Sequence, residues 1–164
     1  MKKHIFHIVL ASGLFSQTAC SSASDETNSC YSDKLSDKGK VFTNGLNKPH
    51  FKGGHDSLVG YLSANIDLEK FIDDLSQNEK TYSDTAKIRF IVNKQGGISN
   101  LSVERAKKKK FADEITSVIK NSSCNWIAGG TEPPVNCWHQ FDLYYSIDKP
   151  SGNEVKTVIT INEL

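Results

Sequence analysis

Two kinds of hydrophobic periodicity divide the chain. Leu58, Tyr61, Leu62 and Ile66 recur at intervals of three and four, which predicts a helix entered from Gly53-Gly54-His55-Asp56-Ser57 and ending near Asn65. Leu68, Phe71, Ile72 and Leu75 repeat that spacing, so a second short helix follows, with Asp67 placed to cap it. Gln77 to Asp84 is polar and reads as a loop. The period then changes to two. Ala86, Ile88, Phe90 and Val92 alternate with Lys87, Arg89 and Asn93, Ile91 being the exception, and Lys94-Gln95-Gly96-Gly97 supplies residues that accept positive φ. That combination predicts a hairpin. Its return strand carries Ile98, Leu101 and Val103, a spacing that slips phase once and so predicts a bulge.

After the run Lys107–Lys110, the residues Phe111, Ile115, Val118 and Ile119 mark one face of a helix ending around Asn121-Ser122. The final third returns to alternation, first in Phe141, Leu143, Tyr145 and Ile147. The turn residues Lys149-Pro150-Ser151-Gly152-Asn153 follow, and Val155, Thr157, Ile159 and Ile161 alternate again. This last strand is expected at a sheet edge, where its residues Val155, Thr157, Ile159 and Ile161 are the candidates for binding a partner. The predicted class is α+β: a two-layer domain with about two main helices on one face of a small antiparallel sheet of three or more strands.

The N-terminus is of another kind. Lys2 and Lys3 precede an apolar stretch from Ile5 to Phe15, followed by the small and polar Ser16-Gln17-Thr18-Ala19-Cys20. This is the layout of an export signal over residues 1–19, and a stretch of eleven residues, interrupted by His7, falls short of the roughly 20 apolar residues needed to span a bilayer. Ala19-Cys20 followed by Ser21-Ser22-Ala23-Ser24 resembles a bacterial lipobox, although Gln17 stands where leucine is usual and cleavage after Ala23 is the alternative. In the lipobox reading Cys20 becomes the lipidated first residue, and acyl burial at about 0.8 kcal/mol per CH₂ anchors the chain to a membrane. Residues 20–48 are rich in Ser, Asp, Lys, Gly and Asn and read as a flexible tether, leaving 49–164 as the folded domain.

Composition narrows the function classes further. The 164 residues are 37% hydrophobic and 24% charged with a formal net charge of +1, which suits one globular core. Loss of Lys2 and Lys3 with the signal turns that balance slightly acidic, so a nucleic-acid partner is not expected. Arg105 and Lys107–Lys110 form a basic cluster that reads as a solvated loop before a helix.

Four cysteines in an exported chain point to disulfides. With Cys20 lipidated, Cys124 and Cys137 flank Gly129-Gly130-Thr131-Glu132-Pro133-Pro134 almost symmetrically, and a hairpin there predicts a Cys124–Cys137 bridge. Cys30 is then free in the tether and able to join two copies as a dimer; its pairing with Cys124 or Cys137 is the competing connectivity. Cys137-Trp138-His139 carries metal-ligand types without C-x₂-C or H-x₃-H spacing, so neither metal nor cofactor is expected. His55-Asp56-Ser57 holds the letters of a catalytic triad on adjacent residues that point apart, and no G-x-S-x-G or phosphate loop is present in the sequence. The one nucleophile with a base at hand is Cys137 beside His139, which defines an exported cysteine-dependent enzyme as an alternative. The expectation is a protein without catalysis.

The order of motifs then carries a resemblance. Pro49-His50-Phe51-Lys52-Gly53-Gly54 precedes Leu58, Tyr61, Leu62, Asn65 and Ile66. Next comes Ile88-Arg89-Phe90-Ile91-Val92-Asn93-Lys94-Gln95-Gly96-Gly97-Ile98, and Trp126 precedes Gly129-Gly130 and Pro134-Val135. Over residues 49–147 this succession resembles the TonB C-terminal domain family. The resemblance implies two helices and a roughly three-stranded sheet, a periplasmic location, and binding of short segments of TonB-dependent outer-membrane transporters through β-strand addition. The departures are an export signal in place of an uncleaved membrane helix, and a short Ser-rich tether in place of a long Pro-rich spacer. The expectation is therefore a non-catalytic cell-envelope lipoprotein that binds a protein partner, on the periplasmic face or at the outer membrane. A genuine energy-transducing component of TonB-dependent transport is the first alternative.

Overall fold

The computed structural model describes residues 30–36, 39–43, 47–74, 80–130, 132–148 and 156–163. The export signal, Cys20 and Val155 lie outside the described residues.

Alternation of Ala86, Ile88, Phe90 and Val92 builds a long strand that begins earlier than its apolar residues, β4 at Thr81–Val92. The expected loop over Gln77 to Asp84 is therefore strand from Thr81 onward, because Tyr82 and Asp84 already pair across the sheet with Ile147 and Tyr145. Asn93 turns the chain: its side-chain oxygen accepts the N–H groups of Gln95 and Gly97, at 2.9 Å each, while Gly96 takes φ 83°. The return strand β5, Ile98–Glu104, pairs antiparallel with β4 and shifts register between Arg89 and Ile91, with Asn100 at φ 53°. The predicted bulge stands there.

The third long strand, β7 at Asn136–Asp148, runs antiparallel to β4 along its whole length, from Thr81↔Asp148 to Val92↔Cys137. On its far side β8, Lys156–Glu163, pairs antiparallel from Asp148↔Lys156 to Phe141↔Glu163. Two short segments complete this sheet: β1, Tyr31–Ser32, lies parallel to the start of β5, and β2, Val41–Phe42, lies parallel to the start of β7. The sheet is thus mixed, antiparallel at its centre with two parallel additions from the N-terminal segment. A separate two-stranded ribbon joins β3, His50–Phe51, to β6, Trp126–Ile127.

The apolar face of each long strand turns to one side, where two helices cover it. Helix α1 spans Gly54–Asn65 and buries Leu58 and Leu62; helix α2 spans Lys109–Asn121 and buries Phe111, Ile115, Val118 and Ile119. A 3₁₀ helix, Leu68–Asp74, occupies the place of the second predicted short helix and contributes Leu68 and Phe71 to the core. Asp67 does not appear as its cap; its backbone N–H donates to Glu114 of α2, and its carboxylate lies 3.5 Å from Lys70. Facing the helices, Ile88, Phe90, Phe141, Leu143, Tyr145 and Trp126 form the centre of the core. Burying side chains of this size contributes about 1.5–3 kcal/mol each. The architecture is the α+β class read from the sequence.

The N-terminal segment departs from a free tether. Tyr31 packs against the core beneath the Lys120 ammonium at 4.5 Å, and Lys120 also lies 3.7 Å from Asp33. The Leu35 N–H donates to the Asn100 side chain at 2.9 Å. Sparse apolar content hid this because single residues, Tyr31, Val41 and Phe42, dock onto edges made elsewhere. The folded body therefore starts by Cys30 and not at Pro49.

Candidate functional site

Two margins of the sheet and one buried polar cluster hold the residues singled out from the sequence. The first margin is that of β5. Here Cys30 is bonded to Cys124, with Cα atoms 5.4 Å apart. The expected Cys124–Cys137 bridge is not formed, and Cys137 is a free, buried thiol.

The reason lies in register. Gly129 and Val135 do make an antiparallel bridge, but one residue pair is all of it. Extending that register would set Ile127 against Cys137 and Cys124 against Gln140, and Ile127 instead pairs with His50 in the ribbon. Cys124, at φ 73° in the turn after α2, faces the N-terminal segment. The Cys30 carbonyl accepts the Ile98 N–H at 3.1 Å, and a Cβ on Gly97 would run into that oxygen. The crosslink consumes Cys30 within the chain, so the dimer expected through a free Cys30 is not available to it.

The second margin is that of β7 and β8. Ile159 and Ile161, proposed from sequence as partner contacts, turn toward the helices opposite Tyr145 and Leu143. Ile161 is 4% exposed and belongs to the core, while Ile159 is half-buried against it. Thr157 is exposed, as are Lys156, Thr160, Asn162 and Glu163, and Val158 is 57% exposed. Among the described residues no strand pairs with the outer side of β8. At the β8 end nearest α1, Glu163 lies 3.8 Å from His55.

The helix-free face of the sheet beside this margin is polar and partly aromatic. Cross-strand rows run Glu104–Lys87–Asp142–Asn162 and Ser102–Arg89–Gln140, so opposite charges alternate across the strands. The Arg89 guanidinium stacks 4.1 Å over Trp138, and Ile91 is buried on this face, which explains the exception in the alternation of β4. A shallow depression of about 200 Å³ lies among Ser83, Thr85, Lys107, Tyr144, Val158 and Thr160. Tyr144 is 41% exposed there. The basic cluster is largely engaged: Lys107 donates to the Ser83 carbonyl, Lys108 lies over Tyr82, and Lys109 pairs with Asp113.

The buried polar cluster is centred on β7. His139 sits among Phe90, Trp126 and Phe141, with ring centroids 4.9–5.9 Å away, and its Nε2 has no hydrogen-bond partner. Burial, with the positive charges of Lys48 and His50 adding to it, holds the imidazole pKa down to about 4. Burial also pushes the Cys137 thiol up. A neutral core thiol with a raised pKa is the opposite of an activated nucleophile, so the geometry gives no support to the cysteine-dependent enzyme. Trp126 is likewise a core residue, its indole N–H donating to Ser122 Oγ at 3.0 Å. Among the described residues no group of three or more His, Cys, Asp or Glu side chains is arranged to hold a metal.

Sequence reasoning missed Asp84. It is 3% exposed, and its carboxylate accepts the Lys107 N–H at 3.0–3.2 Å, the Thr85 N–H at 2.7 Å and the Tyr82 hydroxyl at 3.3 Å. These bonds pin the segment entering α2 to the part of β4 beyond the reach of β5. The available signal was parity: Asp84 has the same phase as Ala86, Ile88 and Phe90 and so had to face inward.

Comparison with known proteins found no match to any family model, curated protein or solved structure. No helix among the described residues is long and apolar enough to cross a membrane.

Proposed function

We propose that the chain is a non-catalytic, partner-binding protein of the bacterial cell envelope, and that it takes an extended protein segment by β-strand addition at the β7–β8 margin. The observation that carries this reading is the edge itself. An eight-residue strand closes the sheet there, and no described strand covers its outer side. Open edge N–H and C=O groups supply affinity that depends little on sequence, and alternate side chains supply selectivity. The order of motifs resembling the TonB C-terminal domain family favours a segment of a TonB-dependent outer-membrane transporter as the partner. The export signal and Cys20 favour a lipid anchor in place of a membrane-spanning one.

Two measurements test this. Synthetic transporter segments are offered to the folded protein while backbone hydrogen exchange is followed; changes confined to Phe141–Asp148 and Lys156–Glu163 are expected. Changes only at β5, or none with any segment, would reject the reading. Intact mass of the mature protein from the envelope fraction is expected to give an acylated chain beginning at Cys20, and an unacylated chain beginning at Ser24 would remove the anchor.

A further inference from the structure

The β7–β8 margin has a second property, which concerns what occupies it. Strand β8 is seated like a bound peptide: among the described residues it pairs with β7 and with no other strand, and the main contact it makes with the helical layer is with α1. Of its eight residues only Ile161 is buried and only Ile159 half-buried. Glu163, on the same side of the strand as these two, reaches His55 near the start of α1. By contrast β4 is paired on both sides from Lys87 to Val92 and carries Ala86, Ile88, Phe90 and Val92 fully buried. Local stability follows buried apolar contact and two-sided pairing, so β8 belongs to the low end of the range within this sheet.

We infer that β8 is an in-chain occupant of the edge of β7, and that the partner segment binds by taking its place. The inference rests on the strand-addition reading above and moves the point of addition from the open side of β8 to the edge of β7 that β8 covers. Removing β8 uncovers the edge of β7 from Phe141 to Asp148, flanked by α1, with room for two apolar side chains on the helix side. The chemistry of the incoming segment is read from what sits there now. It is an extended strand with two branched apolar residues two apart and an acidic residue two further on, matching Ile159, Ile161 and Glu163. A carboxylate at that position lies beside His55 in the first turn of a helix, where negative charge is favoured. Because β8 is tethered to its own groove, it competes at high effective concentration and keeps the site closed to weak segments.

The test uses the full chain and a labelled eight-residue peptide of the β8 sequence, Lys-Thr-Val-Ile-Thr-Ile-Asn-Glu, as the probe. Ile161→Ser weakens β8 in place, with Ile159→Ser as the milder second variant should the first fail to fold. The peptide is expected to bind either folded variant at least tenfold more tightly than it binds the wild type. A control peptide with both isoleucines replaced by serine should not bind. In the wild type, β8 amides are expected to exchange at least a hundredfold faster than those at the centre of β4.

Equal affinity for wild type and variants would mean that segments add outside β8, which overturns displacement and leaves strand addition standing. Binding to none of them overturns both readings. Protection of β8 equal to that of β4 would overturn displacement without recourse to any variant. A dimer of the variants in sedimentation would assign the vacated edge to a second copy of the chain and reject a foreign segment.

Discussion

The two outer margins of one sheet are held by different physics. At β5, a two-residue strand is fastened by a disulfide, a tyrosine under a lysine ammonium and a side-chain bond to the chain leaving it. At β7, an eight-residue strand has a long ladder but only two apolar side chains packed inward and an exposed contact between Glu163 and His55. The covalent margin holds few backbone pairs, and the ladder margin has no crosslink. A short strand needs a fastening from outside the ladder, whereas a long one persists on hydrogen bonds that another strand can replace. That difference assigns stability to the β5 side and exchange to the β8 side.

The largest way to break the comparison is to remove the fastening. Cys30 and Cys124 are 94 residues apart, so opening their bond frees a long loop in the unfolded chain. Cys30→Ser should cost about 4–5 kcal/mol by the chain-entropy estimate, measured by guanidinium unfolding. A loss below about 1 kcal/mol would place the stability of the N-terminal segment in its noncovalent contacts.

The next effect belongs to the core between the margins. The His139 pKa falls from about 6.5 in the unfolded chain to about 4 in the folded one, so the folded state favours the neutral ring. As pH drops below about 6.5 the unfolded chain takes up the proton first, and stability declines until the folded pKa is passed. The full loss is about 3 kcal/mol, read as a shift in the urea midpoint between pH 7 and pH 4. His139→Phe should remove that part of the slope, and an unchanged slope would move the acid sensitivity to another group.

Asp84→Ala should cost about 2 kcal/mol, because the N–H groups of Lys107 and Thr85 lose a buried carboxylate acceptor. Thermal unfolding measures it, and hydrogen exchange should show the entrance to α2 opening while β8 is unaffected. The smallest effect sharpens the β8 side: Val158→Thr, at a site 57% exposed, should change stability by less than about 0.5 kcal/mol. A larger loss would mean that the helix-free face is packed in solution.

Much of the fold was legible because periodicity reports burial directly. Phe111, Ile115, Val118 and Ile119 marked the buried stripe of α2, and the phase slip between Ile98 and Leu101 marked the bulge where β4 and β5 change register. Asp84 was less legible, since its polarity concealed a strand position that its parity disclosed. The candidate site was half legible. The alternation in the last strand located an edge, but not the face that Ile159 and Ile161 present, which depends on pairing with β7.

By itself the sequence determined the class of fold, the two main helices, the hairpin at Asn93–Gly97 and the terminal edge strand, since each is written in local spacing and turn chemistry. Only the tertiary structure decided the partner of Cys124, the docking of Tyr31 and Val41 onto distant strands, and the packing of His139 against Phe90. The physical reason is common to all three. Each joins residues far apart in the chain, and a contact that long carries no period for the sequence to display.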